Sequence, residues 1–195
     1  MARKRVAILI SGRGTNMVAL IEAAKDPAYP AEIALVISNE PAAEGLWRAV
    51  SADIPVAVVD HKKFGKDREA FERALQSELE AHGIELVCLA GFMRLLTPWF
   101  VRQWDGRLIN IHPALLPAFK GLDTHARALA AGVKEHGATV HFVVPEMDSG
   151  PIIAQEAVPV RPGDTEATLA ARVLEAEHRI YPEALRLVAE GRAQT

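Results

Sequence analysis

The chain has 195 residues, half of them hydrophobic and 24% charged, with 13 Gly and 12 Pro. These values lie close to the average for globular domains and exclude collagen-like, disordered and low-complexity classes. Net charge is −3, from 22 Lys plus Arg against 25 Asp plus Glu, with no basic cluster of the kind that displaces counterions from a nucleic acid, and no stretch approaches the roughly 18 apolar residues of a membrane span.

Met1–Val6 is basic but runs straight into a short apolar stretch, which reads as a strand and not as a secretory signal. Val6–Ile10, Ile33–Ile37, Pro55–Val59, Leu86–Ala90 and Leu108–Ile111 are short runs rich in Val, Ile and Leu. Such runs suit strands covered on both faces. Helical patterns lie between them, over Asn16–Lys25, Ala42–Ala52, Lys66–His82 and Thr97–Trp104. In the third, Phe71, Leu75 and Leu79 recur at four-residue steps, forming one apolar stripe. Thr97-Pro98 pairs an N-cap residue with a first-turn proline. The alternation predicts an α/β fold with a mostly parallel sheet and right-handed crossovers. Cys88 is the only cysteine and lies inside an apolar run, where it reads as a core residue.

After Ile111 the rhythm changes. His112–Gly121 reads as a loop with two prolines, and Asp123–Ala131 as a helix. Thr139–Val144 and Ile152–Val160 are strand-like and separated by too few residues for a crossover helix, so they are expected to pair antiparallel. A closing helix starts near Asp164, and Pro182 is expected to kink or restart it.

Three places hold residues with chemical potential. Ser11-Gly12-Arg13-Gly14-Thr15-Asn16 joins the first strand to the first helix, where backbone N–H groups can cradle a phosphate. It matches neither the Walker loop nor the dinucleotide fingerprint, since Met17 occupies the third glycine's place; a plain tight turn is the alternative. Asn110 and His112 share one strand face, and Pro113 ends the strand just beyond them. An amide that stabilises an oxyanion beside an imidazole that moves a proton suits acyl or formyl transfer. Asp148 lies in a loop of Pro, Gly, Ser and acidic residues, where most such residues are solvated turn formers. Thr139 and His141 share a strand face that can line a cleft, although His141 more often would be a satisfied, half-buried histidine. The histidines show no metal-ligand spacing, and no metal is expected.

Asn110-Ile-His-Pro-Ala-Leu-Leu-Pro117, then Phe119-Lys-Gly121 and Met147-Asp148-Ser-Gly150, closely resemble the 10-formyltetrahydrofolate-dependent formyltransferases. The likeness extends to Ile10–Asn16, Leu89–Arg94, His136-Gly137, Val140–Phe142, Gly150–Ile153 and Glu177-His178. It implies a Rossmann-like open twisted sheet, mostly parallel with an antiparallel pair in its C-terminal part. It also implies transfer of the formyl group of 10-formyltetrahydrofolate to the amine of 5-phosphoribosylglycinamide in de novo purine biosynthesis, by direct attack through a tetrahedral intermediate. Residues 1–195 would form one domain, with 1–111 as the nucleotide- and phosphate-binding half and 112–195 supplying the catalytic loop, folate-binding hairpin and closing helix. Asn110 would hold the formyl oxygen, His112 would act in proton transfer, and Asp148 would raise the histidine's pKa. Gly14, Thr15 and Asn16 would bind the ribonucleotide phosphate, and Glu177 its glycinamide end. Met93, Arg94, Leu95 and Leu96, with Val144, Pro145, Glu146, Met147 and Asp148, would line the pterin pocket, and Arg68 would face the folate's charged tail.

Two positions depart from the family pattern. Ala114 stands where Ser often follows His-Pro, and Asp123 stands where some members carry a histidine. The resemblance implies a cytoplasmic monomer or homodimer with small-molecule substrates, no nucleic acid and no membrane. Formyl transfer to methionyl-tRNA would usually bring a basic C-terminal domain, and formyltetrahydrofolate hydrolysis an N-terminal regulatory one. A bare nucleotide-binding module would have no need of Asn110 and His112 together.

Overall fold

The computed structural model describes residues 2–195. Seven strands form one sheet: β1 (Lys4–Ile10), β2 (Ala31–Ser38), β3 (Val56–Val58), β4 (Leu86–Leu89), β5 (Leu108–His112), β6 (Glu135–Phe142) and β7 (Ile152–Pro159). Their order is β3-β2-β1-β4-β5-β6-β7. The first five run parallel, while β6 is antiparallel to both β5 and β7. The expected antiparallel pair is therefore present, and β6 reverses against β5 as well.

Six helices cover the sheet: α1 (Thr15–Ala24), α2 (Glu44–Ser51), α3 (Arg68–Ala81), α4 (Pro98–Gln103), α5 (Thr124–Ala131) and α6 (Glu166–Ala189). Period-two alternation along β1 explains the layering. Val6, Ile8 and Ile10 pack with Met17 and Leu20 of α1 and with the apolar stripe of α6. Ala7 and Leu9 face the opposite way, into a second core with Phe71, Leu75 and Leu79 of α3 and with Phe100 and Val101 of α4. Cys88 is buried in the first core, and burial pushes its thiol up to about 12, so it is a packed side chain and no nucleophile.

Two local expectations change. The helix does not break at Pro182, because α6 runs on from Glu166 to Ala189. The buried face of this helix, from Leu169 to Val188, docks it on both sides of the proline. Tyr181, fully buried, donates its hydroxyl to the Leu89 carbonyl at 2.7 Å, and the Pro182 carbonyl accepts from Tyr29 at 2.7 Å. Tertiary packing outweighs the missing amide bond. Thr97 precedes α4 as expected, but its side chain makes no cap bond. Its hydroxyl donates instead to the buried Glu72 carboxylate, which also accepts the Thr97 N–H at 2.6 Å.

The strand order reverses between β1 and β4, since β2 and β3 lie on one side of β1 and β4 and β5 on the other. In open α/β sheets the crevice beyond the carboxyl ends at such a point is where ligands bind. The turn after β1 and Gly91–Leu96 after β4 border that crevice.

Candidate functional site

β5 ends the site's central wall. Asn110 and His112 point from the same face, opposite His141 and Thr139 respectively on β6. Asn110 is half-buried and His112 only 6% exposed. The His112 ring is held on two sides. Its Nε2 lies 2.8 Å from the Phe119 carbonyl, which can only accept, so Nε2 carries the proton of the neutral ring. Its Nδ1 faces Asp148 Oδ2 at 3.7 Å.

Asp148 reaches this position because the loop between β6 and β7 folds back over the strand ends. Phe142 N–H donates to the Pro151 carbonyl at 2.9 Å, closing the loop at its base. A Cβ on Gly150 would sit 1.7 Å from the Phe142 carbonyl oxygen, so only glycine permits this closure. Asp148 has φ of +51° and accepts the Gly121 N–H at 2.9 Å, tying the loop to the segment after Phe119. Its side chain is about one-tenth exposed, so it is not a solvated turn former.

His141 departs from the satisfied reading. It is 2% exposed, its Nε2 has no hydrogen-bond partner, and that atom lies 3.9 Å from Asp148 Oδ1. Burial holds the ring below the usual histidine range, against the raising effect of the Phe142 carbonyl and Asp148. Thr139, its strand-face companion, is occupied. Its hydroxyl donates to the Ala114 carbonyl at 2.7 Å and accepts from Leu116 N–H and Gln155 Nε2. It pins the loop that follows His112. Ala114 is fully buried in that loop, and Asp123 is exposed with no side-chain cap to α5.

His136 lies on β6, 1% exposed, with Nε2 3.1 Å from His125 Nδ1 of α5. Burial and the neighbouring His125 push it down to about 4. This pair supports the helix that follows the His112 loop; His136-Gly137 belongs to the family likeness, whereas nothing in the sequence marks His125 as its partner.

At the other side of the crevice, Gly14 takes φ of +69° as the residue before α1. Asn16, in the first turn of α1, donates its amide to Glu177 Oε1 of α6 at 3.2 Å, leaving Asn16 Oδ1 buried without a partner. Glu177 is 8% exposed, and burial lifts its carboxyl to about 7 against the lowering effect of Asn16. Thr15 is half-buried beside them. The sequence segments around Gly14 and Glu177, far apart along the chain, thus meet in one place.

Of the remaining predicted residues, Met93 and Leu95 are 69% and 63% exposed, while Arg94 and Leu96 are half-buried. Val144 is half-buried, and Pro145, Glu146 and Met147 are exposed on the loop that carries Asp148. Arg68 is exposed at the first turn of α3, and no contact ties it to the His112 cluster. Among the described residues no helix is long and apolar enough to cross a membrane.

Residues 4–185 match the model of the family described as formyl transferase. The chain is 55% identical over 190 residues to the trifunctional purine biosynthetic protein adenosine-3 of Gallus gallus, covering 97% of this chain and 19% of that protein. It spans only about a fifth of the length of such trifunctional relatives. It is 46% identical over 187 residues to the phosphoribosylglycinamide formyltransferase of Escherichia coli (strain K12), covering 96% of this chain and 88% of the relative. The crystal structure of phosphoribosylglycinamide formyltransferase from Brucella melitensis superposes with a TM-score of 0.92 at 52% identity, covering 99% of each chain.

Proposed function

Because this chain belongs to the formyl transferase family, we propose that it transfers the formyl group of 10-formyltetrahydrofolate to the amine of 5-phosphoribosylglycinamide. The observation that carries this reading is the cluster at the end of β5, where Asp148 closes over His112 at 3.7 Å beside Asn110. The substrate amine attacks the formyl carbon, the new C–N bond forms, and negative charge gathers on the formyl oxygen. The Asn110 amide donates to that oxygen. The intermediate then expels the folate nitrogen, which gains one proton as the attacking amine loses one. His112 relays that proton, and the nearby Asp148 carboxylate stabilises positive charge on the ring.

The ribonucleotide phosphate sits on the N–H groups of Gly14, Thr15 and Asn16 at the start of α1. Glu177 receives the glycinamide end, where N–H groups donated by the substrate would favour the charged form of its carboxyl, which burial lifts to about 7. Met93–Leu96 and Val144–Asp148 form the two walls of the pterin pocket, and Arg68 meets the folate's carboxylate tail. In this reading residues 1–111 mainly hold the ribonucleotide and 112–195 supply the catalytic loop, folate hairpin and closing helix, with Asn16 and Glu177 meeting across the division. The protein works in the cytoplasm, as a monomer or homodimer, in de novo purine biosynthesis.

The deciding experiment mixes the protein with 10-formyltetrahydrofolate, with and without 5-phosphoribosylglycinamide, and follows the folate absorbance. A change that requires the ribonucleotide supports the reading. A change with folate alone would mean hydrolysis, and no change in either mixture would overturn it.

A further inference from the structure

The two segments that border the crevice are joined by one side chain that the motif reading leaves without a role. Ser11 directly follows β1 and opens the glycine turn. Its hydroxyl accepts the Met93 backbone N–H at 2.8 Å and donates its single proton to Asn39 Oδ1 at 2.5 Å. Asn39, 2% exposed, follows β2, and its Nδ2 lies 3.1 Å from His61 Nδ1 in the 3₁₀ turn after β3. The contacts therefore run across the carboxyl ends of β4, β1, β2 and β3, spanning the point where the strand order reverses. With one proton and one partner on each side, the hydroxyl has a single orientation.

Packing holds the flanks of the segment, since Phe92 and Leu96 lie against the second core. Met93 and Leu95 themselves are largely exposed, so packing leaves the Met93 backbone to be fixed by this bond. Its far end is fixed separately, by the buried Glu72 carboxylate on Thr97. Between those anchors the backbone has to be placed within about half an ångström to serve as a binding wall.

We infer that Ser11 is a positioning residue of the reaction, setting the backbone of the folate-facing wall at Met93 against the turn that holds the ribonucleotide phosphate. The inference rests on the pocket assignment above and adds a residue that touches neither substrate.

Ser11→Ala removes the acceptor for Met93 N–H, while Ser11→Thr keeps the hydroxyl. The expected result for Ser11→Ala is a rise in KM for 10-formyltetrahydrofolate of about fivefold to tenfold, the size of one neutral hydrogen bond. The fall in kcat should be smaller, as should any change in KM for the ribonucleotide. Ser11→Thr should restore the folate KM. Amide hydrogen exchange of the ligand-free protein gives an independent readout: Met93 N–H should exchange faster in Ser11→Ala and at the wild-type rate in Ser11→Thr. Should Ser11→Ala fail to fold, Ser11→Cys, with a weaker acceptor of similar size, gives the same comparison. An unchanged folate KM in a folded Ser11→Ala, or equal losses in the Ala and Thr variants, would overturn the role of Ser11. A wild-type protein that transfers no formyl group would overturn the functional reading itself.

Discussion

At the scale of single residues, Asn110 and Asp148 make separable predictions. Asn110→Ala removes the donor aimed at the developing oxyanion and should lower kcat by roughly 10²–10³. Folate binding should change little, because the bond strengthens only as charge develops; equilibrium binding and kcat measured together check this. Asp148 does two things, accepting the Gly121 N–H and facing His112 with a charge. Asp148→Asn keeps an acceptor for Gly121 and removes the charge, so the fold should survive while kcat falls by about 10²–10⁴. Asp148→Ala should lose both functions and also lower the melting temperature. If the Asn variant turns over at the wild-type rate, the carboxylate contributes no charge stabilisation. Asn110 and His112 were legible from the sequence because period-two spacing and the following proline put both at a strand end. His141 was legible as a residue on a face that can line a cleft, but its approach to Asp148 at 3.9 Å was not, because only the folded loop after β6 brings that carboxylate back over the strand end.

At the scale of elements, the strands and helices were largely legible because each is bounded by turn residues and carries a continuous apolar run or stripe. What could not be read was tertiary: the continuation of α6 through Pro182, and the use of Thr97 by Glu72 in place of a cap. The β1–α1 turn gives a prediction that depends on which glycine is changed. A Cβ on Gly14 would sit 3.0 Å from Met17 Cε and 3.3 Å from the Gly45 Cα, at a φ of +69°. A Cβ on Gly12 would meet nothing within 4 Å. Gly14→Ala should therefore cost about 1–2 kcal/mol of stability, from left-handed backbone in a residue with a side chain, and should raise KM for the ribonucleotide. Gly12→Ala should do neither. Denaturant titration and initial rates on both variants test the pair, and equal effects would mean that the turn's conformation is not what matters.

At the scale of the whole molecule, buried ionisable groups set opposing pH dependences. His136 is held near 4, and His125, His141 and His178 are also lowered, in each case chiefly by burial. Their unfolded counterparts titrate near 6.5, so below that pH the unfolded chain binds more protons and stability falls with acidification. Glu177 acts in the other direction. Its carboxyl lies near 7 when folded and near 4.5 when unfolded, so the folded protein binds the extra proton. Stability from this group is present below about 4.5 and is lost as pH rises towards 7, by about 3 kcal/mol when complete. The histidines oppose Glu177, so the wild-type melting temperature should change less between pH 7 and pH 5 than the histidines alone would dictate. Glu177→Gln keeps an oxygen for the Asn16 amide but cannot ionise. Above pH 7 this variant should be more stable than wild type, and its loss of stability on acidification should be steeper, since the compensating proton uptake is gone. The same variant should raise KM for the ribonucleotide, because a neutral amide accepts the substrate's N–H groups less strongly than a carboxylate. Thermal melts from pH 5 to pH 8.5 on both proteins decide the matter. Parallel curves would mean that Glu177 is already charged in the folded protein at neutral pH, and that its burial carries no ionisation penalty for the substrate to relieve.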